Sequence, residues 1–309
     1  MRISSAFAFE SSLANLQRRQ AQLTETQAQL TSGKRVRLAS DDPAAAAAAE
    51  RALAAGARAE AHLRALGESR NAMELSESAL GDAGDLVQRA REFIVSAGNA
   101  AFSDNERAPL AAALRGIRED LLAVANRSDS AGRYLFGGQG SDAKPLRDAP
   151  GGVVYDAATG QLNAAAGEVA PLSLDGSAVF LQAPDPANPG NVLSVFDSLD
   201  TAISDLLTPG RTSVEVSLTV STGLSQLDAA QGNLSRWRAL AGEALNRADG
   251  IESRLSQRKI DAARDRSNAE DLDMVTAISE FQSKQTGYDA ALKAYSLVQR
   301  MSLFDYIQS

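Results

Sequence analysis

Apolar residues recur every seven positions near the start of this 309-residue chain, at Phe9, Leu16, Leu23 and Leu30, with Leu13 beside them and no glycine or proline before Gly33. The last stretch repeats the device. Met274, Phe281, Tyr288 and Tyr295 keep the seven-residue step, with Ile278 and Leu292 between them. Such spacing puts its members on one face of an α-helix and predicts helix-to-helix packing along a narrow seam. Nothing adjacent in sequence covers either stripe, so the two seal each other only if the chain returns to its own start. Whatever stays open is an interaction surface. The pattern predicts a subunit that finishes its core on its neighbours.

Breaker residues divide the rest. Seven of the nine prolines fall between Pro145 and Pro209, and ten of the 23 glycines between Gly137 and Gly210. Outside that block long helices are predicted. Ala44 to Gly98 is rich in strong helix formers, with Asp41 and Asp42 as cap candidates and Pro43 at a plausible first helical position. Leu110, Leu114, Ile117, Leu121 and Val124 mark a face of a second rod, roughly Asp104 to Asn126. Leu234, Trp237, Leu245, Ile251 and Leu255 mark a third, about 60 Å long if 40 residues are continuous. Within the block, Val153 to Tyr155 followed by Asp156 to Gly160 reads as a hairpin. So does Leu172 to Leu174 running through Asp175-Gly176 into Ala178 to Leu181, with Asp-Gly expected to supply a positive φ. Val195, Leu199, Ile203 and Leu206 predict a short helix stopped at Pro209-Gly210.

The fold class expected is mainly α: an elongated coiled-coil or helical bundle built from both chain ends, with a smaller β-rich domain inserted in the middle. Residues 1–43 and 265–309 form the terminal helices, 44–136 and 212–264 the helical rods, and 137–211 the insert. The reading is a nested hairpin, with the termini together and the insert at the far tip.

Charge and composition remove several functions. A net charge of −8 offers no basic field for nucleic acid. No apolar run approaches 18 residues, so no membrane span is expected. Met1 to Arg19 has a transit-peptide flavour, but Glu10 and the unbroken stripe to Leu30 oppose it. There is no cysteine, which excludes disulfides and thiol catalysis.

The search for reactive groups finds little. His62, the one histidine, lies in an ordinary helical run and reads as structural. Glu74 with Glu77, and Glu119 with Asp120, read as surface helix charge, because no histidine or cysteine stands near them. Gly137-Gly138-Gln139-Gly140-Ser141 lacks the Gly-Lys-Ser/Thr ending of a phosphate loop and reads as a flexible turn into the insert. Asn126-Arg127-Ser128 fits a glycosylation sequon, a short motif matched often by chance. No catalytic residue, metal site or cofactor is expected, and the chain does not read as an enzyme.

The segment Leu30-Thr31-Ser32-Gly33-Lys34-Arg35-Val36-Arg37-Leu38-Ala39-Ser40-Asp41-Asp42-Pro43-Ala44 resembles the flagellin signature. Gly132-Arg133-Tyr134-Leu135-Phe136-Gly137-Gly138, Glu270-Asp271-Leu272-Asp273-Met274 and the ending Ser302-Leu303-Phe304-Asp305-Tyr306-Ile307 are similar to the hook-associated junction subunits of that superfamily rather than to flagellin. The resemblance covers roughly residues 1 to 138 and 192 to 309.

It implies a secreted structural subunit of the bacterial flagellum, exported unfolded by the type III route and assembled as a homo-oligomeric ring at the hook–filament junction. The implied partners are further copies of itself, the other hook–filament junction protein, flagellin and a flagellar export chaperone. Phe9, Leu13, Leu16, Leu23 and Leu30 would then pack with Met274, Ile278, Phe281, Tyr288, Leu292 and Tyr295 within and between subunits. The stretch from Gly33 through Arg35 to Asp41, Asp42 and Pro43 would act as a spoke between this coiled coil and the helical rods. The rival readings are flagellin itself and an intracellular coiled-coil scaffold or chaperone.

Overall fold

The first helix follows from a run without glycine or proline that ends at a glycine. In the computed structural model, which describes residues 2–99, 102–140 and 143–307 (backbone alone at 2–6, 8 and 298–307), α1 spans Arg2–Ser32. Gly33 stops it with φ +70°, a left-handed conformation that glycine adopts without a Cβ penalty, and its N–H bonds back to the Gln29 carbonyl at 2.8 Å.

Long helices follow where breakers are absent. α2 covers Pro43–Ala97 and α3 covers Asp104–Ala125. Ahead of α3, the Glu106 carboxylate accepts the Ser103 backbone N–H at 2.7 Å, one half of a capping box. After the breaker-rich block, α6 runs through Ser213–Glu270 and α7 through Met274–Ile307. Thus the third rod exceeds the sequence expectation: 58 residues at 1.5 Å each give about 87 Å.

The middle block is mostly irregular, with strands in two small antiparallel sheets among the described residues. β1, Leu146–Ala149, pairs with β2, Gly152–Tyr155, in the register Leu146 to Tyr155. β3, Ala183–Pro184, pairs with β4, Val192–Leu193. Two short helices complete the block: α4, Gly176–Phe180, and α5, Val195–Leu207.

Both hairpins expected from the sequence are corrected. Val153 to Tyr155 pairs backward, across the turn at Pro150-Gly151, and not forward across Asp156 to Gly160. Asp175-Gly176 makes no hairpin turn. The Asp175 carboxylate instead accepts the N–H groups of Ser177 and Ala178 and caps α4, and Gly176 has no positive φ. The Gly137 to Gly140 turn is anchored, since Gly138 donates to the Leu174 carbonyl at 3.0 Å and has φ +61°. A Cβ at Gly138 would overlap the Ala158 carbonyl oxygen and the Tyr155 hydroxyl.

Two units divide the chain: residues 1–59 with 257–309, and residues 60–256. In the second, α2 and α6 run antiparallel, fastened at the surface by Arg70 to Asp249 and Glu252, Arg238 to Glu77 and Arg91 to Asp228. Beneath them lies the apolar core of this unit, with contributions from α2, α3, α5, α6 and the middle block. Its centre is aromatic: Phe136 meets Phe180 edge-to-face at 5.0 Å, and Phe180 lies 6.3 Å from Phe196.

Polar side chains dock the β1–β2 hairpin. Arg118, buried on α3, forks onto Asp148 at 2.6 and 2.8 Å and reaches Asp200 at 2.6 Å. These contacts hold its guanidinium fully protonated. The Asn126 amide accepts the Leu146 N–H at 3.0 Å and donates to the Leu146 carbonyl at 2.8 Å, standing in for a neighbouring strand.

Candidate assembly surface

In the unit formed by the two chain ends, α1 and α7 run antiparallel. Phe9 stacks tilted against Tyr295 at 5.6 Å, Arg19 lies beside Gly287, Thr26 bonds Lys284 at 2.8 Å, and Lys34 pairs with Asp271 through a single backbone β-bridge. The two seven-residue stripes therefore face each other, but the pair covers them unequally. Leu16 is 8% exposed, and Leu23, Leu30, Phe281, Tyr288 and Tyr295 are half-buried. Phe9, Leu13, Met274, Ile278 and Leu292 keep 41 to 47% of their surface in solvent, and Val275 keeps 81%. Two helices can cover only one side of each other, and these apolar side chains spread over more than one side.

Below this pair, residues 33 to 42 form a tightly bonded turn. Arg35 and Val36 donate their backbone N–H groups to the Glu270 carbonyl at 2.7 and 3.3 Å, and the Leu272 N–H returns to the Gly33 carbonyl at 3.0 Å. The Arg35 guanidinium bonds the Ala269 carbonyl at 2.8 Å and the Asp42 carboxylate at 3.3 Å, joining the end of α6 to the start of α2. A cation on those last carbonyls also suits the α6 dipole. Val36 is buried and anchors the turn.

Each carboxylate here has a donor set that explains its titration. Asp41 accepts the Leu38 N–H at 2.8 Å and the Arg37 N–H at 3.1 Å, which hold its carboxyl below the usual range. Asp42 is lowered by the Ala45 N–H, at 3.0 Å, and then by Arg35. It caps α2, and Pro43 occupies the first helical position, where no N–H is needed. Glu270 is lowered by Lys34, 3.0 Å away, and by Arg266 at 2.8 Å.

Sequence reasoning missed Thr26 and Lys284, and it quoted Val36 and Glu270 only within motifs, with no role for either. Arg19 and Thr26 share a heptad position three residues after Leu16 and Leu23, which marks Thr26 as facing the seam but does not point to Lys284. The sequon asparagine is engaged with Leu146 through both ends of its amide. His62 packs against Gly167. Among the described residues no group of three or more acidic, histidine or cysteine side chains could hold a metal ion, and no helix is long and apolar enough to cross a membrane.

Residues 3–141, which hold the first chain-end helix and the bonded turn, match the bacterial flagellin N-terminal helical region, and the chain is a flagellin-like protein of the bacterial flagellum. Flagellar hook-associated protein 3 of Salmonella typhimurium is 32% identical over 98% of this chain and 99% of its own length. The chain belongs to the flagellar hook-associated protein 3 family. Solved structures share the fold. Xanthomonas campestris FlgL matches with a TM-score of 0.59 and 19% identity over 71% of this chain and 99% of its own. The flagellar junction protein FlgL of Legionella pneumophila matches with 0.53 and 19% over 60% and 93%.

Proposed function

We propose that this chain is a non-enzymatic structural subunit that joins hook to filament as an adaptor ring, closing the ring by coiled-coil packing of α1 and α7 between copies. The observation that carries the reading is the half-open seam. Five apolar side chains at coiled-coil positions stay more than 40% exposed after α1 and α7 have paired, and lateral neighbours would cover them. The proposed domain scheme is terminal coiled-coil helices at 1–43 and 265–309, helical rods at 44–136 and 212–264, and a β-rich inserted domain at 137–211. The turn from Gly33 to Pro43 acts as the spoke. Its partners are further copies of itself, the other hook–filament junction protein and flagellin, with an export chaperone before secretion to the flagellum.

Family membership along the full length favours this role over that of the filament subunit. The test is genetic and structural together. Cells lacking the protein should keep hooks, shed flagellin into the medium and lose motility. Retained filaments would overturn the proposal.

A further inference from the structure

The α1–α7 seam contains a polar layer. Thr26 is 2% exposed, and its hydroxyl is used twice: it donates to the Gln22 carbonyl at 2.9 Å and accepts from Lys284 Nζ at 2.8 Å. Lys284 also stands 3.6 Å from Glu280, one turn away on its own helix. Seven residues before Thr26, Arg19 lies across α7 where a side chain at Gly287 would begin, its guanidinium 2.9 Å from that point.

We infer that Thr26 and Lys284 set the register in which α1 pairs with α7, within one chain and between chains; the second case rests on the assembly reading above. Apolar layers that repeat every seven residues barely resist a slip of seven, about 10 Å along the axis. A polar layer does resist it, because the buried Thr26 hydroxyl loses its Lys284 donor on slipping, although Lys284 itself keeps 37% of its side chain in solvent. One slip sets Lys284 against Arg19, placing like charges together. The opposite slip sets it against Gly33, where α1 has ended and there is no side-chain oxygen to accept. Within one chain the bonded turn after Gly33 also holds the base of α1. Between chains there is no such tether, so the polar layer carries the discrimination.

The absence of cysteine makes introduced thiols unambiguous reporters. Phe9→Cys is combined with Tyr295→Cys, the observed register, or with Tyr288→Cys, one heptad away. The full-length chain is treated with a short bis-maleimide, with each pair placed first in one chain and then divided between two chains that are mixed under polymerising conditions. Linkage of the Phe9→Cys, Tyr295→Cys pair should exceed that of the Phe9→Cys, Tyr288→Cys pair by roughly tenfold or more in both formats. Lys284→Leu should bring the two close to equality between mixed chains and only narrow the gap within one chain, where the bonded turn also holds the register, while Lys284→Arg keeps the preference. Circular dichroism on each variant verifies that the helices remain.

An undiminished preference for the Tyr295→Cys pair between mixed chains in the Lys284→Leu background overturns the inference and leaves the assembly reading standing. A narrowed preference in the single-chain format, with no linkage between mixed chains, supports the register role and sinks the assembly reading.

Discussion

Replacing Ile278 by Asp separates the stability of the chain from its assembly. Ile278 is 46% exposed, so α7 of an unassembled chain leaves room for a carboxylate to stay hydrated. Full burial of such a side chain contributes about 1.5 to 3 kcal/mol, so losing the covered half costs about 1 kcal/mol. In an assembled seam the other half is lost as well, about 1 kcal/mol. The carboxylate must also be desolvated, at several kcal/mol per ion. A total near 5 kcal/mol per covered site lowers the association constant by about three orders of magnitude or more. Thermal melting of the purified chain and sedimentation of polymerised protein read the two effects separately. The melting point should fall by only a few degrees, as about 1 kcal/mol implies, while polymer and swimming disappear. Leu16→Ala is the counterpart: at 8% exposure it should cost the single chain about 2 to 5 kcal/mol. An Ile278→Asp chain that polymerises at wild-type concentration would refute the reasoning.

The spoke should loosen in acid. Asp41, Asp42 and Glu270 have folded pKa values below their unfolded ones, so their stabilisation is complete above about pH 4 to 5 and fades as the pH falls through the lowered values. Amide exchange at Arg37 and Leu38, corrected for intrinsic rate, should therefore accelerate at about pH 3 relative to about pH 6, and Asp41→Asn should flatten that response. Gly138→Ala should destabilise the 60–256 unit by more than about 2 kcal/mol, because left-handed backbone strain adds to the overlap with Ala158 and Tyr155. Gly132→Ala, with φ +81° and open space around its Cβ, should cost only the strain, and equal melting shifts for the two would contradict this account. Asn126→Ala should release the β1–β2 hairpin, leaving the Leu146 N–H and carbonyl without their partners at about 1 to 3 kcal/mol; unchanged exchange at Leu146 would count against it.

The long helices were legible because their information is local. An unbroken run of helix formers, a cap at Asp42 with Pro43, and a glycine at 33 all act within one turn. The seam was legible because Phe9 to Leu30 and Met274 to Tyr295 repeat a fixed step. What escaped was set by partners distant in sequence. Val153 to Tyr155 shows a strand but not which side its mate lies on, and Pro150-Gly151 decided that. Asp175-Gly176 satisfies a turn rule and a helix-cap rule equally, and the Phe136 to Phe196 core selects the cap. Nothing near Asn126 marks it as the bridge to Leu146, twenty residues on. Thr26 escaped for another reason. A hydroxyl between leucines looks like a flaw in the stripe until Lys284, 258 residues later, is placed against it.

The bonds between residues 33–36 and 269–272 also dictate a chronology. The first arm is made long before the residues that fasten it, and closing so wide a loop at random costs entropy that grows with its length. Antiparallel pairing of α2 with α6 through residues 60–256 shortens the remaining gap, so the inner unit should fold first and the chain ends zip up last. Until Leu272 has emerged and turned back, residues 1–32 have no fixed place to lie.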